Sequence, residues 1–378
     1  MAADNGPMTL DDLSRLENVP DRGEPPEELL RPRTFLTATP EAYQAGGASK
    51  AQAGEAPQVD LRPVKGAEDD AGSGWEVDSS LSLTYGLNVV KAEVAELPTG
   101  DAEAPDELDP FVPDWSGVDY LPSLADPVSP HTARTLRRRN GRRVRPEYVF
   151  GADNRAVYYP SGYPWRCIGR IFVWPVASNA SPSWSGTGAL VWKNTILTCS
   201  HMAPWGSVSN NIPWKALFVA GYYDGSSVNG AGASAWVTGL WGYKNHSQGD
   251  DMAVMALNAP LGSSLGYFGY KTYTSDWEDG PWWTLCGYPG MVANGQRPSR
   301  QSSFPIQDDD NDGAGVELEY EADTSDGNSG GPVFGWWDNQ PYIIGTHSGG
   351  EEEAFDTNNV AAGGAALSGL IKWARTNW

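Results

Sequence analysis

GTGALVWKNTILTCSHM, residues 186–202, reads as two short apolar strands joined by a Lys193-Asn194 turn, with His201 just past the end of the second. Val, Ile, Leu, Trp and Thr in runs this short, bounded by turn residues, argue for strands, because helices need about ten residues or more. The same texture fills the chain from about Tyr148 onward. Further strands are expected over 168–174, 216–221, 235–242, 252–257, 282–287, 316–322, 331–336 and 342–346. So many short strands within residues 148–378 imply an all-β domain, a sandwich or barrels. One helix closes the chain, since Leu367, Leu370, Ile371 and Ala374 recur at i, i+3, i+4 and i+7, and it is expected to pack on the last barrel.

Composition supports packed cores: of 378 residues, 40% are hydrophobic and 11% aromatic. The 17 tryptophans read as packing residues more than as a sugar platform. With 26 Lys and Arg against 48 Asp and Glu, the net charge is -22, which argues against a nucleic-acid partner, since phosphate contacts need clustered cations. No apolar run is long enough for a membrane helix, and the first residues lack the basic-then-apolar build of a signal peptide. Three cysteines, Cys167, Cys199 and Cys286, are too few for a disulfide scaffold, and their pairing stays open. The four histidines stand singly along the chain, so no metal centre is expected.

Charge divides the chain. Residues 1–130 carry 26 acidic and 8 basic side chains, residues 131–147 carry 1 and 7, and residues 148–378 carry 21 and 11. The first block, rich in Pro, Ala, Asp and Glu, is expected to be largely flexible, with one weak helical segment at Gly86–Leu97. The basic segment Arg134–Arg145 follows, either a neutralising linker or a processing site, with Arg142-Arg143 an exposed pair for cleavage. Residues 1–147 are thus set apart from a folded domain at 148–378.

Chemistry concentrates in three segments. Thr324–Pro332, TSDGNSGGP, surrounds Ser329 with glycines that free the backbone, so that N–H groups can meet an oxyanion beside an activated hydroxyl. Taken by itself it could be a Gly-rich hairpin turn. The first segment delivers His201, and in Gly249–Leu257, GDDMAVMAL, an acidic pair opens an apolar strand, so that one carboxylate can turn in beneath a histidine.

With these segments in the order His, Asp, Ser, residues 148–378 resemble the chymotrypsin-like (trypsin-like) serine proteases. The resemblance implies two antiparallel six-stranded β-barrels with a C-terminal helix. It makes His201 the general base and acid, Asp251 its orienting partner (Asp250 is the alternative) and Ser329 the nucleophile, with an oxyanion hole from the N–H groups of Gly327 and Ser329. No cofactor is implied. Met202 replaces a half-cystine and Asn328 replaces an aspartate of the animal digestive members, which points to a different activation route. GNSGGP, THSGG (346–350), CGYPG (286–290) and VFGADNR (149–155) are similar to the glutamyl endopeptidase branch. That branch implies a propeptide over residues 1–147, cleavage near Val144 to Val149, and a secreted monomer acting on proteins or peptides.

The substrate pocket has two readings. The branch assigns Thr324 and His347 to a substrate glutamate, whereas Asp323, six residues before Ser329, stands where trypsin-like members bind Arg or Lys. The acidic run Glu351–Glu353 would repel an acidic substrate if it lay at the rim. Ser348, Gly349 and Gly350 would pair with the substrate backbone as a strand edge. Asp308, Asp310, Asp312, Gly313 and Glu319 satisfy a calcium-loop pattern, but Gly315 at its eighth position and the strand after it argue for a solvated acidic loop. Two rivals stand beside the enzyme: a non-catalytic binding module on the same fold, and a protease whose residues 1–147 are a permanent regulatory arm.

Overall fold

The computed structural model describes residues 6–31, 104–125, 147–244, 246–351 and 357–378, with the backbone of 62–63, 75–76 and 91–93. Six strands build the first barrel: β1 Ile168–Trp174, β2 Trp184–Trp192, β3 Thr195–Thr198, β4 Lys215–Ala220, β5 Ser234–Gly242 and β6 Ala253–Leu257. They pair antiparallel in the order β6-β3-β2-β1-β4-β5, and a β5–β6 ladder closes the ring. Alternation drives this: along β5, Ala235, Val237 and Leu240 are fully buried while Trp236 and Thr238 stay partly exposed. Closure removes sheet edges, which an apolar β domain would otherwise expose.

The second unit holds β7 Gly269–Lys271, β8 Trp283–Gly287, β9 Ser299–Phe304, β10 Asp308–Asp312, β11 Gly315–Tyr320, β12 Pro332–Trp337, β13 Gln340–Gly350 and β14 Asn359–Gly363. Its path is β10-β11-β14-β13-β12-β8-β9, with β7 parallel to β13. Among the described residues no ladder joins β10 to β9, so this sheet curls about its own core without closing. Trp283, Leu285, Phe304, Leu318 and Ile344 fill that core, and Trp277, Trp282 and Trp337 lie against Trp283.

Helix α1, Ala365–Asn377, buries Leu367, Leu370, Ile371 and Ala374 as its spacing predicts. Its main partner differs from the expectation. Those residues join the core of the first barrel, Trp373 stacks on Trp241 of β5 at 3.8 Å, and Arg375 Nε donates to Val191 O of β2 at 2.9 Å. Tryptophan on both elements makes that face the larger apolar match. No helix of the described residues is long and apolar enough to cross a membrane.

One further expectation is corrected. The acidic run at 308–312 forms a hairpin with β11, in place of a solvated loop, and sets Asp308 opposite Glu319 and Asp310 opposite Glu317. Gln248 Nε2 donates to Glu317 at 2.6 Å and Asn358 Nδ2 to Glu319 at 2.6 Å, so amides, and no calcium-loop geometry, meet these carboxylates. Within the acidic leader, residues 6–31 and 104–125 pack on the β domain, with Leu29 fully buried, and most of the rest lies outside the described residues. Within Gly86–Leu97, residues Lys91–Glu93 are strand, parallel to β5, and the rest lies outside the described residues. Arg134–Arg145 lies outside them too.

Candidate active site

β3 ends at Thr198, and a single turn, Ser200–Met202, presents His201 at the mouth of the first barrel. Asp251 stands two residues before β6, the neighbour of β3, so the β3–β6 ladder fixes their spacing. Its carboxylate accepts the backbone N–H of His201 at 2.9 Å and faces His201 Nδ1 at 2.7 Å. Asp251 is fully buried, whereas the His201 side chain is 29% exposed. Ser348 Oγ donates to Asp251 Oδ2 at 2.6 Å. A buried carboxylate with two donors beside the ring holds one tautomer and leaves Nε2 as the working nitrogen.

Asp250 turns the other way. It accepts Ser247 N at 2.7 Å and Ala314 N at 3.0 Å, tying its loop to the acidic hairpin. The same hairpin supplies Asp312, whose carboxylate accepts Gln248 N and Gly249 N at 2.8 and 3.0 Å. The acidic strand thus braces the loop that carries Asp251.

Ser329 lies in the turn before β12, whose backbone only glycine permits. Gly330 has φ 82°, and a Cβ there would lie 2.1 Å from Thr198 Oγ1 and 3.1 Å from Cys199 N. The serine loop therefore seats directly on the segment that carries His201. Thr187 N donates to Ser329 O at 2.8 Å, Thr187 Oγ1 to Gly327 O at 2.7 Å, and Gly330 N to His347 O at 2.8 Å. Asn328 N and Gly331 N are also paired within the loop. The N–H groups of Gly327 and Ser329 donate to no acceptor among the described residues. Two donors left open on either side of a paired one are what an oxyanion needs. His201 Nε2 faces Cys199 Sγ at 3.5 Å, and no hydrogen bond joins it to Ser329 Oγ. Such bonds commonly tighten only when substrate is bound.

Beside the serine, His347 of β13 is fully buried. Tyr320 OH meets its Nδ1 at 2.7 Å, while Nε2 has no hydrogen-bond partner. Burial, followed by the nearby charge of His201, brings its imidazole down to about 3. Thr324 Oγ1 is likewise buried and unpartnered. Gly349 and Gly350 continue β13 past its ladder with β12 and pair with Val360 and Asn359 of β14, with Ser348 at the register shift before them. Asp323 does not face this pocket with free oxygens: Phe150 N and Asn154 N donate to its carboxylate at 2.7 and 2.6 Å. Burial raises its carboxyl above the ordinary range, against the pull of those two N–H groups. Thr324 N donates to Tyr148 O at 2.9 Å, so residues 148–154 form the outer wall of the pocket. Glu351 N pairs with Asn358 O, and Glu352 and Glu353 lie outside the described residues.

The linear sequence does not mark His246, which sits 3.4 Å from Asp251, or Tyr320 as the partner of His347. The histidines scattered in sequence gather in space: His201 and His246 both reach Asp251. Cys199, His201 and Asp251 offer donor atoms within 4.8 Å of one another. The set suits a metal poorly, because His201 Nδ1 and Asp251 Oδ2 are bonded to each other at 2.7 Å, whereas ligands of a tetrahedral ion stand about 3.3 Å apart. All three cysteines are free and buried, and burial pushes the Cys286 thiol up to about 12.

Comparison with known proteins places this arrangement. Residues 171–373, more than half of the chain and spanning both β units, match the Trypsin family model. A glutamyl endopeptidase of Bacillus licheniformis is 30% identical over 187 residues, which are 49% of this chain and 54% of that protein. An extracellular metalloprotease of Bacillus subtilis is 25% identical over 213 residues, 52% of this chain and 60% of that protein. The chain thus spans little more than half the length of these relatives. A solved structure of a Glu endopeptidase in complex with MPD superposes with a TM-score of 0.50 at 26% identity, covering 61% of this chain and 100% of that one. A family match that runs from the first strand of one barrel to the closing helix, across all three segments of the site, means that this chain belongs to the trypsin family.

Proposed function

We propose that the chain is a serine endopeptidase that cuts proteins after glutamate, is made as a precursor and works outside the cell. The observation that carries the reading is the hydrogen-bonded His201–Asp251–Ser348 chain, set against a serine loop with two open N–H groups. His201 Nε2 takes the proton of Ser329 Oγ as that oxygen attacks the substrate carbonyl. The N–H groups of Gly327 and Ser329 meet the oxyanion, and His201 returns the proton to the leaving amine. Water, activated by the same nitrogen, then hydrolyses the acyl-enzyme. Asp251 stays ionised and stabilises the imidazolium.

Preference for glutamate rests on His347 Nε2 and Thr324 Oγ1, two buried polar atoms without a side-chain hydrogen bond among the described residues. Unpaired groups of this kind are costly unless a ligand meets them, and a carboxylate accepts from both. Burial keeps the Tyr320 phenol protonated, so it can donate to His347 Nδ1 and leave Nε2–H toward the substrate. Basic preference through Asp323 has less support, since its two oxygens already hold backbone N–H groups. Outside-cell action follows a relative that is named extracellular, and maturation near Val144 to Val149 follows the likeness of residues 149–155 to the glutamyl endopeptidase branch. Hydrolysis of matched peptides with Glu, Gln, Arg and Ala before the scissile bond, by the chain and by His347→Ala and Thr324→Ala, tests the pocket. Glu should lead, and both variants should lose that lead.

A further inference from the structure

The described leader segments, residues 6–31 and 104–125, pack on the β domain as a strap. Its two described segments first hold each other: Val19 and Val118 exchange backbone hydrogen bonds at 2.8 and 2.9 Å, and Asp21 Oδ1 accepts Gly117 N at 2.9 Å. Together they run across the β domain. Met8 N donates to Trp336 O, Gly232 N to Leu29 O, Asp119 N to Tyr163 O and Ala125 N to Val157 O, each at 2.8 Å. Phe111 and Tyr267 exchange two more bonds at 3.0 Å, and Glu107–Leu108 pairs with Tyr270–Lys271 of β7.

Side chains lock the same surface. Leu29 is fully buried, Tyr120 lies 5.3 Å from Trp336, and Trp165 Nε1 donates to Asp119 O at 2.6 Å. Arg166 of the β domain, itself only 2% exposed, meets Asp21 at 3.1 Å and lies 4.6 Å over the Trp115 ring. Stripping the strap would leave that guanidinium without its carboxylate and uncover Trp336 and Tyr163. The β domain is also hollowed to admit it: a Cβ at Gly232 would lie 1.9 Å from Glu28 O, and one at Gly162 would lie 1.8 Å from Asp119 Oδ2. Among the described residues, no hydrogen bond of the strap goes to His201, Thr324, Ser329 or His347.

We infer that residues 6–31 and 104–125 are a permanent part of the working enzyme and stay bound as a second chain after any cut between residues 126 and 147. The inference rests on the proposed maturation only for the existence of that cut. A removable inhibitor would cover the catalytic groups and leave a domain complete without it. This strap does neither.

The test installs the recognition sequence of an unrelated protease between residues 126 and 146 of the full chain and cuts it there. Both fragments should co-elute on native size exclusion, separate only under denaturant, and retain peptide hydrolysis and a single melting transition. Gly232→Ala, which leaves every catalytic group untouched, should make the fragments separate or lower the melting temperature. Its preference for the residue before the cut should not change. Elution of residues 148–378 alone, with the melting temperature and turnover of the uncut chain, overturns the inference. Maturation is read separately, from the N-terminus of the uncut-by-design protein. Absence of natural cleavage would sink the maturation proposal while co-elution of the installed fragments still upheld the strap.

Discussion

At the residue scale the site is a relay of hydrogen bonds anchored on one buried carboxylate. Asp251 holds His201 through both its backbone N–H and its ring, and Ser348 shares the same oxygen. Ser329→Ala should therefore lower kcat by about 10^6-fold, and Asp251→Asn by about 10^4-fold with KM little changed, in steady-state assays on a peptide substrate. His347→Ala should cost about 10- to 150-fold in kcat/KM for glutamyl substrates, the worth of a hydrogen bond to a charged group, and far less for alanyl ones. The same histidine makes stability depend on acidity. Its imidazole is held near 3 in the fold and titrates near 6.5 when unfolded, so the unfolded chain binds the extra proton between these values. Stability from this group is complete above about pH 6.5 and is lost as pH falls toward 3. Melting temperatures of the chain and of His347→Gln at pH 7 and pH 4 check this, and the variant should lose less on acidification.

At the element scale, loops acquire their shape from neighbours that sequence places far away. Asp323 anchors residues 150–154 through two backbone N–H groups. Asp323→Ala should cost about 1–3 kcal/mol in urea melts, as buried donors lose their acceptor, and should leave glutamate preference in place. How much of this was legible varied with chemistry. Ile168–Trp174 was readable to its ends because a short run of β-branched and aromatic residues stops at Pro175, and α1 because one apolar stripe recurs at helical spacing. The strand Asp308–Asp312 was not, because acidic residues are depleted in strands, and the ladder with β11 and the contacts to Gln248 and Gly249 hold it. His201, Asp251 and Ser329 announced themselves through their flanking turns and strands, while His246 carries no local signal. Its approach to Asp251 exists only in three dimensions.

At the scale of the whole molecule, two β units share one site while the described leader segments bind across the outside. The leader's composition reads as disorder, yet Leu29, Trp115 and Tyr120 find their burial on another part of the chain, which no local pattern can show. Leu29→Ala should therefore destabilise the β domain itself, by about 3 kcal/mol, and lower a single melting transition by about 6–12 °C in calorimetry. The central claim is that this scaffold positions Ser329 to hydrolyse proteins after glutamate. Digestion of a mixed peptide library by the purified chain after a cut installed between residues 126 and 146, with Ser329→Ala prepared in parallel and every cut read by mass spectrometry, tests it most directly. The account predicts cuts concentrated after Glu with the native serine and none with alanine. Equal cutting by both proteins, or no cutting by either, would contradict it.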